Sequence, residues 1–218
     1  MSNLLKHIPL FQTLDDGELA VIESLAVEKI VPRGSIILNE GDMGDALFVI
    51  ASGRVKVLIC DADGREIILK ILGAGDFFGE LSLIDKEPRS ASVVALDNTT
   101  LRVLSYQGFR DCLVRSPNIA TAVMTALAKR LRDADRKISN LALMDVYGRV
   151  ASTLIELAVQ KEGKLIIGEK LSQQEIANMV GASREMVNRI LKDLSDRGYI
   201  SIESKQITIL NDRLPPSF

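Results

Sequence analysis

The feature that most restricts the fold is the run of residues 118–147, which contains neither glycine nor proline. Its apolar residues recur at alternate steps of four and three: Ala120, Met124, Leu127, Leu131, Ala134, Ile138 and Leu141. This a/d spacing over three heptads predicts one long helix with a narrow apolar stripe, which we call the heptad stripe. Such a stripe is typically buried against a second copy of the same helix, so the sequence predicts a homodimer. Packing of the stripe on the chain's own domain remains the alternative.

The region before this helix has the pattern of short strands joined by tight turns. Ten of the fifteen glycines precede residue 110. After a helical segment at 15–25, the β-rich runs lie at residues 35–38, 46–50, 54–59, 66–72, 92–96 and 101–105. In the third run, Val55, Val57 and Ile59 form an apolar face, and Leu58 is the apolar exception on the opposite face. An Asp-Gly pair at 63–64 favours a hairpin turn. Short strands at regular spacing favour a small barrel or roll.

The region after the helix contains two short amphipathic helices joined through a glycine. Ile176 and Val180 lie on the apolar face of the first helix, and Gly181 follows where the chain must turn. Ser183 is a good N-cap for the second helix because its hydroxyl can accept from a free backbone N–H. The predicted buried face of that helix holds Val187, Ile190, Leu191 and Leu194. With a final hairpin at 199–203 and 206–210, this order predicts a winged helix-turn-helix.

The second of these helices carries polar side chains suited to reading DNA. Its predicted exposed face holds Arg184, Glu185, Asn188, Arg189 and Lys192. Arginine can donate twice to guanine, and glutamate can accept from the amino group of cytosine. Arg184 and Glu185 fall in the first turn, from which such helices contact base edges. The alternative is a solvated helix surface with a Glu185–Arg189 ion pair.

The segment FFGELSLIDKEPRSASV, residues 77–93, has the composition of an anion site. Gly79 lets the backbone approach a ligand closely, and Glu80, Leu81 and Ser82 can begin a short helix whose free N–H groups suit an anion. Arg89 offers a planar fork for phosphate oxygens. An ionised Glu80 only accepts hydrogen bonds, which suits a ribose hydroxyl. A purely structural Glu80–Arg89 ion pair is the alternative.

The helix-turn-helix resembles that of the CRP/FNR family of transcription regulators. The stretch QQEIANMVGASREMVNRILKDL, residues 173–194, is similar to the motif of the family's catabolite activator branch. The residues that the resemblance assigns to bases are Arg184, Glu185 and Arg189, and those it assigns to phosphates are Gln173, Gln174 and Ser183. The resemblance implies a two-fold symmetric double-stranded DNA operator with TGTGA-like half-sites, and RNA polymerase as a partner.

The anion segment resembles the phosphate-binding cassette of cyclic-nucleotide-binding domains. The resemblance implies that Glu80 holds the ribose 2′-OH and that Arg89 holds the cyclic phosphate. The remaining cassette positions are matched by Gly79, Leu81, Ser90 and Ala91. Both motifs occur in the order that the family has them, and the resemblance extends from about residue 11 to residue 210.

The long helix leaves the identity of the nucleotide open. In the cyclic AMP branch, adjacent Thr and Ser on this helix contact adenine. Alignment through the hinge NLALMDVYGRVA, residues 140–151, puts Ala134 and Asp135 at these positions. Asp135 can accept from the amino group of adenine or from the N–H groups of guanine. Cyclic AMP is the first expectation; cyclic GMP, cyclic di-GMP and an empty pocket are the alternatives.

Composition limits the other functions. The net charge is −2, and residues 145–218 carry ten Lys/Arg and ten Asp/Glu, so DNA binding depends on where the charges lie. His7, Cys60 and Cys112 make no spacing for a metal, haem or iron–sulfur site, and a lone histidine disfavours an enzyme. The cysteines are predicted to be small apolar fillers. No secretion signal or membrane-spanning run is present, which favours a cytoplasmic protein without a membrane partner.

These observations predict an α+β chain in three parts. Residues 1–116 form a cyclic-nucleotide-binding β-roll, residues 117–144 a dimerisation helix and residues 145–218 a winged helix-turn-helix. Asp61, Asp63 and Glu66 fall near the polymerase-contacting patch of the family's roll. A cyclic-nucleotide-binding regulatory subunit that does not bind DNA remains the alternative function.

Overall fold

A computed structural model of the chain describes residues 15–161, 163–167, 171–203 and 206–211. The chain forms two compact units that divide between Leu131 and Arg132. This division falls within the predicted dimerisation helix. The domain boundaries predicted after residues 116 and 144 lie at the two ends of that helix and stay predictions. His7 lies outside the described residues.

In its described residues, the first unit contains three short helices, the first part of a long helix and two four-stranded antiparallel sheets. The short helices are α1 (Asp16–Leu25), α2 (Leu81–Asp85) and α3 (Tyr106–Arg115). The strands are β1 (Val27–Val31), β2 (Ile36–Leu38), β3 (Ala46–Ser52), β4 (Val55–Cys60), β5 (Glu66–Leu72), β6 (Phe77–Phe78), β7 (Ser92–Ala95) and β8 (Thr99–Ser105). The strand orders are β1-β8-β3-β6 and β2-β7-β4-β5, which confirms the predicted roll.

Two apolar clusters explain why this unit folds as a roll. Successive side chains of a strand point to opposite faces of the sheet, and β3 uses both faces. Phe48 and Ile50 join a cluster that draws on both sheets, where the ring centroids of Phe48 and Phe78 lie 5.1 Å apart. Leu47 and Val49 join a second cluster with the helices, including Leu19, Ile22, Phe109 and Cys112. The sheet β1-β8-β3-β6 is therefore held between a core shared by the two sheets and a layer of helices.

Most of the strand predictions are confirmed, with three differences. The strands β1 and β6 were not predicted, because four of the five β1 residues are exposed and β6 has only two residues. Leu58 was placed on the mainly polar face, yet it is 3% exposed, whereas Ile59 is half-buried. Leu58 pairs with Ile68, which is also buried, at the point where the register between β4 and β5 shifts.

The predicted long helix is confirmed as α4 (Pro117–Leu143). Its buried residues, Ile119 and Val123, lie beside the heptad stripe and pack into the helix-side cluster of the first unit, where Leu127 joins them in part. The stripe residues that are more than half exposed are Met124, Leu131, Ile138 and Leu141. The alternative that the stripe packs on its own domain therefore holds for Leu127 but not for these four.

In its described residues, the second unit contains the end of α4, three further helices and one antiparallel sheet. Its elements are α5 (Val146–Leu157), β9 (Val159–Lys161), β10 (Lys164–Ile167), α6 (Gln173–Val180), α7 (Arg184–Asp196), β11 (Ile200–Glu203) and β12 (Gln206–Ile209). The strand order is β11-β12-β10-β9. The final hairpin is confirmed by the pairing of β11 with β12, whereas β9 and β10 were not predicted. The three helices share a core with the sheet, in which Val150, Leu154, Ile176, Ile190 and Ile200 are at most 1% exposed.

The two cysteines differ in their surroundings. Cys112 is 1% exposed and fills apolar space as predicted, and burial raises the pKa of its thiol. The same prediction is wrong for Cys60, which ends β4 beside the turn and is exposed. Every helix among the described residues is too short or too polar to cross a membrane. In the same part of the chain, no group of three His, Cys, Asp or Glu side chains is arranged to hold a metal ion.

Candidate nucleic-acid interface and nucleotide pocket

The helix-turn-helix follows from the caps that its sequence provides. Ser172 and Glu175 form a capping box at the start of α6. Gly181 ends α6 with φ +64°, in the left-handed region that glycine adopts most readily. Ser183 then caps α7 by accepting from the backbone N–H of Met186 at 3.2 Å. The turn and the start of the second helix therefore lie where the sequence predicts them.

The two faces of α7 have opposite environments. Val187, Ile190, Leu191 and Leu194 are at most 3% exposed. Arg184, Glu185, Asn188, Arg189 and Lys192 are all exposed. No ion pair or side-chain hydrogen bond links Arg184, Glu185 or Arg189 to another described residue, so the alternative Glu185–Arg189 ion pair is not formed. The apolar face thus fixes the helix to the unit and leaves the polar face open to a partner.

The residues predicted to contact phosphates lie beside this face. The side-chain amide of Gln173 donates to Asn188 Oδ1 at 2.9 Å, which joins the start of α6 to α7. Gln174 is exposed and donates to Asn178 Oδ1 at 2.8 Å. Ser183 is exposed at the start of α7, where the unpaired backbone N–H groups of a helix favour anions. The structure therefore brings all seven predicted DNA-contacting residues to α6, α7 and the turn between them.

In the first unit, Arg89 is the buried cation of the predicted pocket. It is 5% exposed, and its guanidinium donates to the carbonyl oxygens of Gly79 and Ala46 and, at 3.3 Å, to Ser82 Oγ. Burial lowers the pKa of Arg89, while the carboxylates of Asp45 and Glu80 act in the opposite direction. Arginine stays charged in proteins and has five N–H donors, so two donors remain after these three bonds. The two fit the oxygens of an anion.

Two glycines make room for this guanidinium. A Cβ at Gly79, which has φ +84°, would lie 2.7 Å from Arg89 Nη1 and 3.0 Å from the carbonyl oxygen of Ala46. A Cβ at Gly44 would lie 2.6 Å from Arg89 Cζ. The predicted close approach of a ligand to Gly79 stays a prediction, whereas the contacts of Gly79 and Gly44 with Arg89 were not predicted. Gly44 precedes β3 and has no local signal that links it to residue 89.

Glu80 pairs with an arginine that the sequence did not predict. Its carboxylate, 3% exposed, accepts from Arg130 Nη1 of α4 at 2.7 Å. Arg130 also donates to the carbonyl oxygen of Phe77 and lies over that ring, 4.4 Å from its centroid. The alternative of a structural Glu80–Arg89 ion pair is therefore wrong, because Glu80 pairs with α4 and Arg89 with carbonyl oxygens. No local sequence signal distinguishes Arg130 from Arg132, which also adjoins Leu131 of the heptad stripe.

The other predicted cassette residues lie on α2 and the following loop. The predicted short helix is confirmed as α2, in which Ser82 is buried and Leu81 is 42% exposed. Ser90 is exposed beside Arg89, and Ala91 is 8% exposed. Asp135 lies on α4 beyond the division between the units, and its side chain is exposed.

The acidic residues near the β4–β5 turn are matched by basic neighbours. Arg65 Nε lies 2.7 Å from Asp61 Oδ2, and Lys56 Nζ lies 2.6 Å from Glu66 Oε2. Hydrogen bonds from Arg65 lower the pKa of Asp61. Asp63 interacts with the same guanidinium at 3.4 Å. The patch is therefore less negative than its three carboxylates suggest.

Comparison with known proteins agrees with this arrangement of a nucleotide roll and a helix-turn-helix. A cyclic nucleotide-binding domain matches residues 28–116, and a Crp-like helix-turn-helix domain matches residues 148–213. The CRP-like cAMP-activated global transcriptional regulator of Mycobacterium tuberculosis is 36% identical over 213 residues, covering 96% of this chain and 95% of the relative. The cAMP-activated global transcriptional regulator Vfr of Pseudomonas aeruginosa is 40% identical over 186 residues, covering 82% of this chain and 87% of the relative.

Solved structures agree as well. The c-di-GMP-responsive global regulator CLP of Xanthomonas campestris has a TM-score of 0.77 at 30% identity, covering 89% of this chain and 99% of that one. The catabolite activator protein of Thermus thermophilus has a TM-score of 0.58 at 32% identity, covering 94% and 95%. The fold and its two sites define a DNA-binding regulator with a cyclic-nucleotide-binding domain. The chain belongs to the CRP/FNR family of transcription regulators.

Proposed function

We propose that this chain is a homodimeric transcription regulator that binds TGTGA-like palindromic operators under the control of cyclic AMP. In this proposal the protein is not an enzyme and acts by binding DNA in the cytoplasm. RNA polymerase is its partner at the promoter. The observation that carries the proposal is the polar face of α7. Arg184, Glu185 and Arg189 are exposed there, while the opposite face is buried.

Each residue of the interface has a role in this proposal. Arg184 and Arg189 donate to guanine edges in the major groove, Glu185 accepts from cytosine, and Asn188 lies on the same face. The phosphate contacts are Gln173, Gln174 and Ser183. Phosphate contacts fix the register of the protein on the duplex, while base contacts give the sequence preference.

The nucleotide site uses two buried charged side chains of the first unit. Arg89 and Ser90 bind the cyclic phosphate, and Glu80 accepts from the ribose 2′-OH. Gly79, Leu81, Ser82 and Ala91 shape the cassette around them. The fit rests on the chemistry of the donors: a buried guanidinium with two remaining N–H groups suits an anion, and a buried carboxylate suits a hydroxyl. Asp135 on α4 is assigned to the amino group of adenine.

The dimer is supported by the exposed part of the heptad stripe. Leu131, Ile138 and Leu141 are more than half exposed on the single chain, at the spacing by which two helices pack. We expect Ile138→Glu to convert the dimer to a monomer, measured by light scattering after size exclusion. The matched control is Ser139→Glu on the exposed outer face of α4, which is expected to remain dimeric. A monomeric native protein would contradict the proposal.

The test of operator control is fluorescence anisotropy with a labelled duplex that carries two TGTGA half-sites. Cyclic AMP is expected to strengthen binding by the native chain. Arg89→Ala is expected to lose this stimulation while remaining a dimer, and Arg65→Ala, an exposed arginine on the same unit, is expected to keep it. A cyclic AMP response that is unchanged in Arg89→Ala would refute the assignment.

Cyclic di-GMP is the second candidate effector because of two observations. The Xanthomonas campestris regulator with the same fold is c-di-GMP-responsive. At the positions where the family's cyclic AMP branch has two hydroxyl side chains, this chain has Ala134 and Asp135. Calorimetry with cyclic AMP, cyclic GMP and cyclic di-GMP in parallel decides between them. Tighter binding of either guanine nucleotide would replace cyclic AMP, and heat from none of the three would indicate an empty pocket.

A further inference from the structure

Tyr147 forms a partly buried hydrogen bond that joins two helices of the second unit. It lies in the first turn of α5 and is 1% exposed. Its hydroxyl donates to Asp193 Oδ2 of α7 at 3.0 Å. The other carboxylate oxygen of Asp193 forms an ion pair with Arg197, whose Nε lies 3.2 Å away. The start of α5 is thereby tied to the helix that carries the base-reading side chains.

The phenol of Tyr147 keeps its proton over a wider pH range than an exposed tyrosine does. Burial and the adjacent carboxylate of Asp193 raise the pKa of Tyr147 to about 12. The hydroxyl therefore remains a donor at neutral pH, and its acceptor is an ionised group. Hydrogen bonds to charged groups are stronger than those between neutral groups.

The same turn of α5 is tied to two further segments. Arg149 Nε donates to the carbonyl oxygen of Val180 at the end of α6, at 2.9 Å. Arg149 Nη1 donates to the carbonyl oxygen of Met144, in the segment between α4 and α5, at 3.1 Å. The start of α5 is therefore the point where both helices of the helix-turn-helix and the linking segment are bonded together.

We propose that Tyr147 is a positioning residue for DNA recognition, which fixes the rotation of α7 through Asp193. The proposal rests on sequence-specific DNA binding by α7. Val187, Ile190 and Leu191 hold α7 to the unit by apolar contact, which has no preferred direction. A hydrogen bond does have a preferred direction. The Tyr147–Asp193 bond therefore selects the rotation at which Arg184, Glu185 and Arg189 face the groove together.

The experiment separates specific from non-specific DNA affinity. The native full-length chain, with cyclic AMP present, first selects its own operator from a pool of random duplexes. Dissociation constants of the native chain and Tyr147→Phe are then measured for this operator and for a scrambled duplex. We expect Tyr147→Phe to lower the ratio of specific to non-specific affinity about tenfold, since a lost hydrogen bond to a charged group has about that effect. Binding to the scrambled duplex stays unchanged, because attraction to phosphates tolerates rotation.

Two controls distinguish positioning from general stability. Tyr199→Phe makes the same chemical change at a half-buried tyrosine of the same unit whose hydroxyl has no bond to a described residue, and it is expected to keep the native ratio. Asp193→Asn retains an oxygen that can accept from Tyr147 and is expected to keep the ratio within about threefold. Asp193→Ala and Tyr147→Phe are expected to be non-additive when combined, because both remove the same bond.

The outcomes have distinct meanings. A native ratio in Tyr147→Phe would overturn the positioning role and leave the proposed function intact. An equal loss of both affinities would also overturn it, since a smaller folded fraction explains that result. Selection of no preferred sequence by the native chain would overturn the proposed function itself, and the positioning role with it.

Discussion

The nucleotide pocket and the DNA-reading face use the same two residue types in opposite environments. In the pocket, Glu80 and Arg89 are at most 5% exposed, and each has partners inside the first unit. On α7, Arg184, Glu185 and Arg189 are exposed and have no described side-chain partner. The charges of the candidate pocket are already removed from water and held by the protein, whereas those of α7 remain in water on the single chain.

This difference in burial predicts that the pocket charges affect the stability of the fold and the α7 charges affect the affinity for DNA. Removing a buried charge leaves its partners without compensation, which destabilises the fold. Removing an exposed charge costs the fold little, because water takes its place. Variants of the pocket are therefore expected to change the free energy of unfolding, and variants of α7 to change only the free energy of DNA binding.

The largest expected effect tests the buried side of this comparison. Arg89→Ala leaves the carbonyl oxygens of Gly79 and Ala46 without their donor, so we expect the free energy of unfolding to fall by about 3 kcal/mol. Arg184→Ala, the matched change on α7, is expected to alter it by less than about 0.5 kcal/mol. Urea unfolding of both variants measures the difference, and equal losses would break the comparison.

The next largest expected effect tests the exposed charges of α7. Arg184→Ala is expected to weaken operator binding about 100-fold, because each of two subunits loses a contact of about 1–3 kcal/mol. Its calorimetric affinity for cyclic AMP stays native. Exchange of the contacted guanine in both half-sites sharpens the test: it weakens binding by the native chain but has little further effect on Arg184→Ala. A further loss of the same size in the variant would place this contact on another residue.

A third effect concerns the pH dependence of the buried Tyr147. Its pKa is raised from 10.0 to about 12 in the folded chain. As the pH rises above 10, the unfolded chain releases the phenolic proton while the folded chain keeps it, so stability is present below pH 10 and is lost towards pH 12. We expect a loss of about 1 kcal/mol by pH 11 that is absent in Tyr147→Phe. Urea unfolding at pH 9 and pH 11 compares the two, and parallel losses would show that the tyrosine does not contribute.

The smallest expected effect concerns an ion pair whose exposure is intermediate between that of the pocket and that of α7. Lys56 and Glu66 form an ion pair with side chains 16% and 37% exposed, so Glu66→Gln is expected to cost about 0.5 kcal/mol. Screening by 1 M salt should remove most of this difference, as it does for surface pairs. Thermal unfolding at low and high salt measures it. If Glu66→Gln lowered the free energy of unfolding as much as Arg89→Ala, exposure would have less influence on stability than the comparison implies.

The sequence predicted the parts whose signal is local. The heptad stripe specified α4, and the order of apolar residues, Gly181 and Ser183 specified both helices of the helix-turn-helix. The strands β1, β6, β9 and β10 were missed because each is short or largely exposed, so the two-residue alternation of a half-buried strand is weak or absent.

The candidate pocket was predictable only in part for a related reason. Gly79, Glu80 and Arg89 lie within one segment and could be interpreted together. Arg130 lies fifty residues beyond Glu80, and four strands separate Gly44 from Arg89. Only the folded structure shows that Arg130 meets Glu80 and that Gly44 meets Arg89. The Glu80–Arg89 alternative failed for this reason, because the true partner of Glu80 lies on another element.

The pairing pattern around Arg89 determines which molecules this roll can detect. The acceptors bonded to its guanidinium are neutral oxygens, while the carboxylate of Glu80 is matched by Arg130. No carboxylate is bonded directly to this guanidinium, although those of Asp45 and Glu80 act on it, in an interior where Coulombic attraction is stronger than in water. A neutral nucleoside gains nothing from that charge, however well its base fits. In the proposed nucleotide site, a negative charge on the ligand is therefore required before the two purines are distinguished.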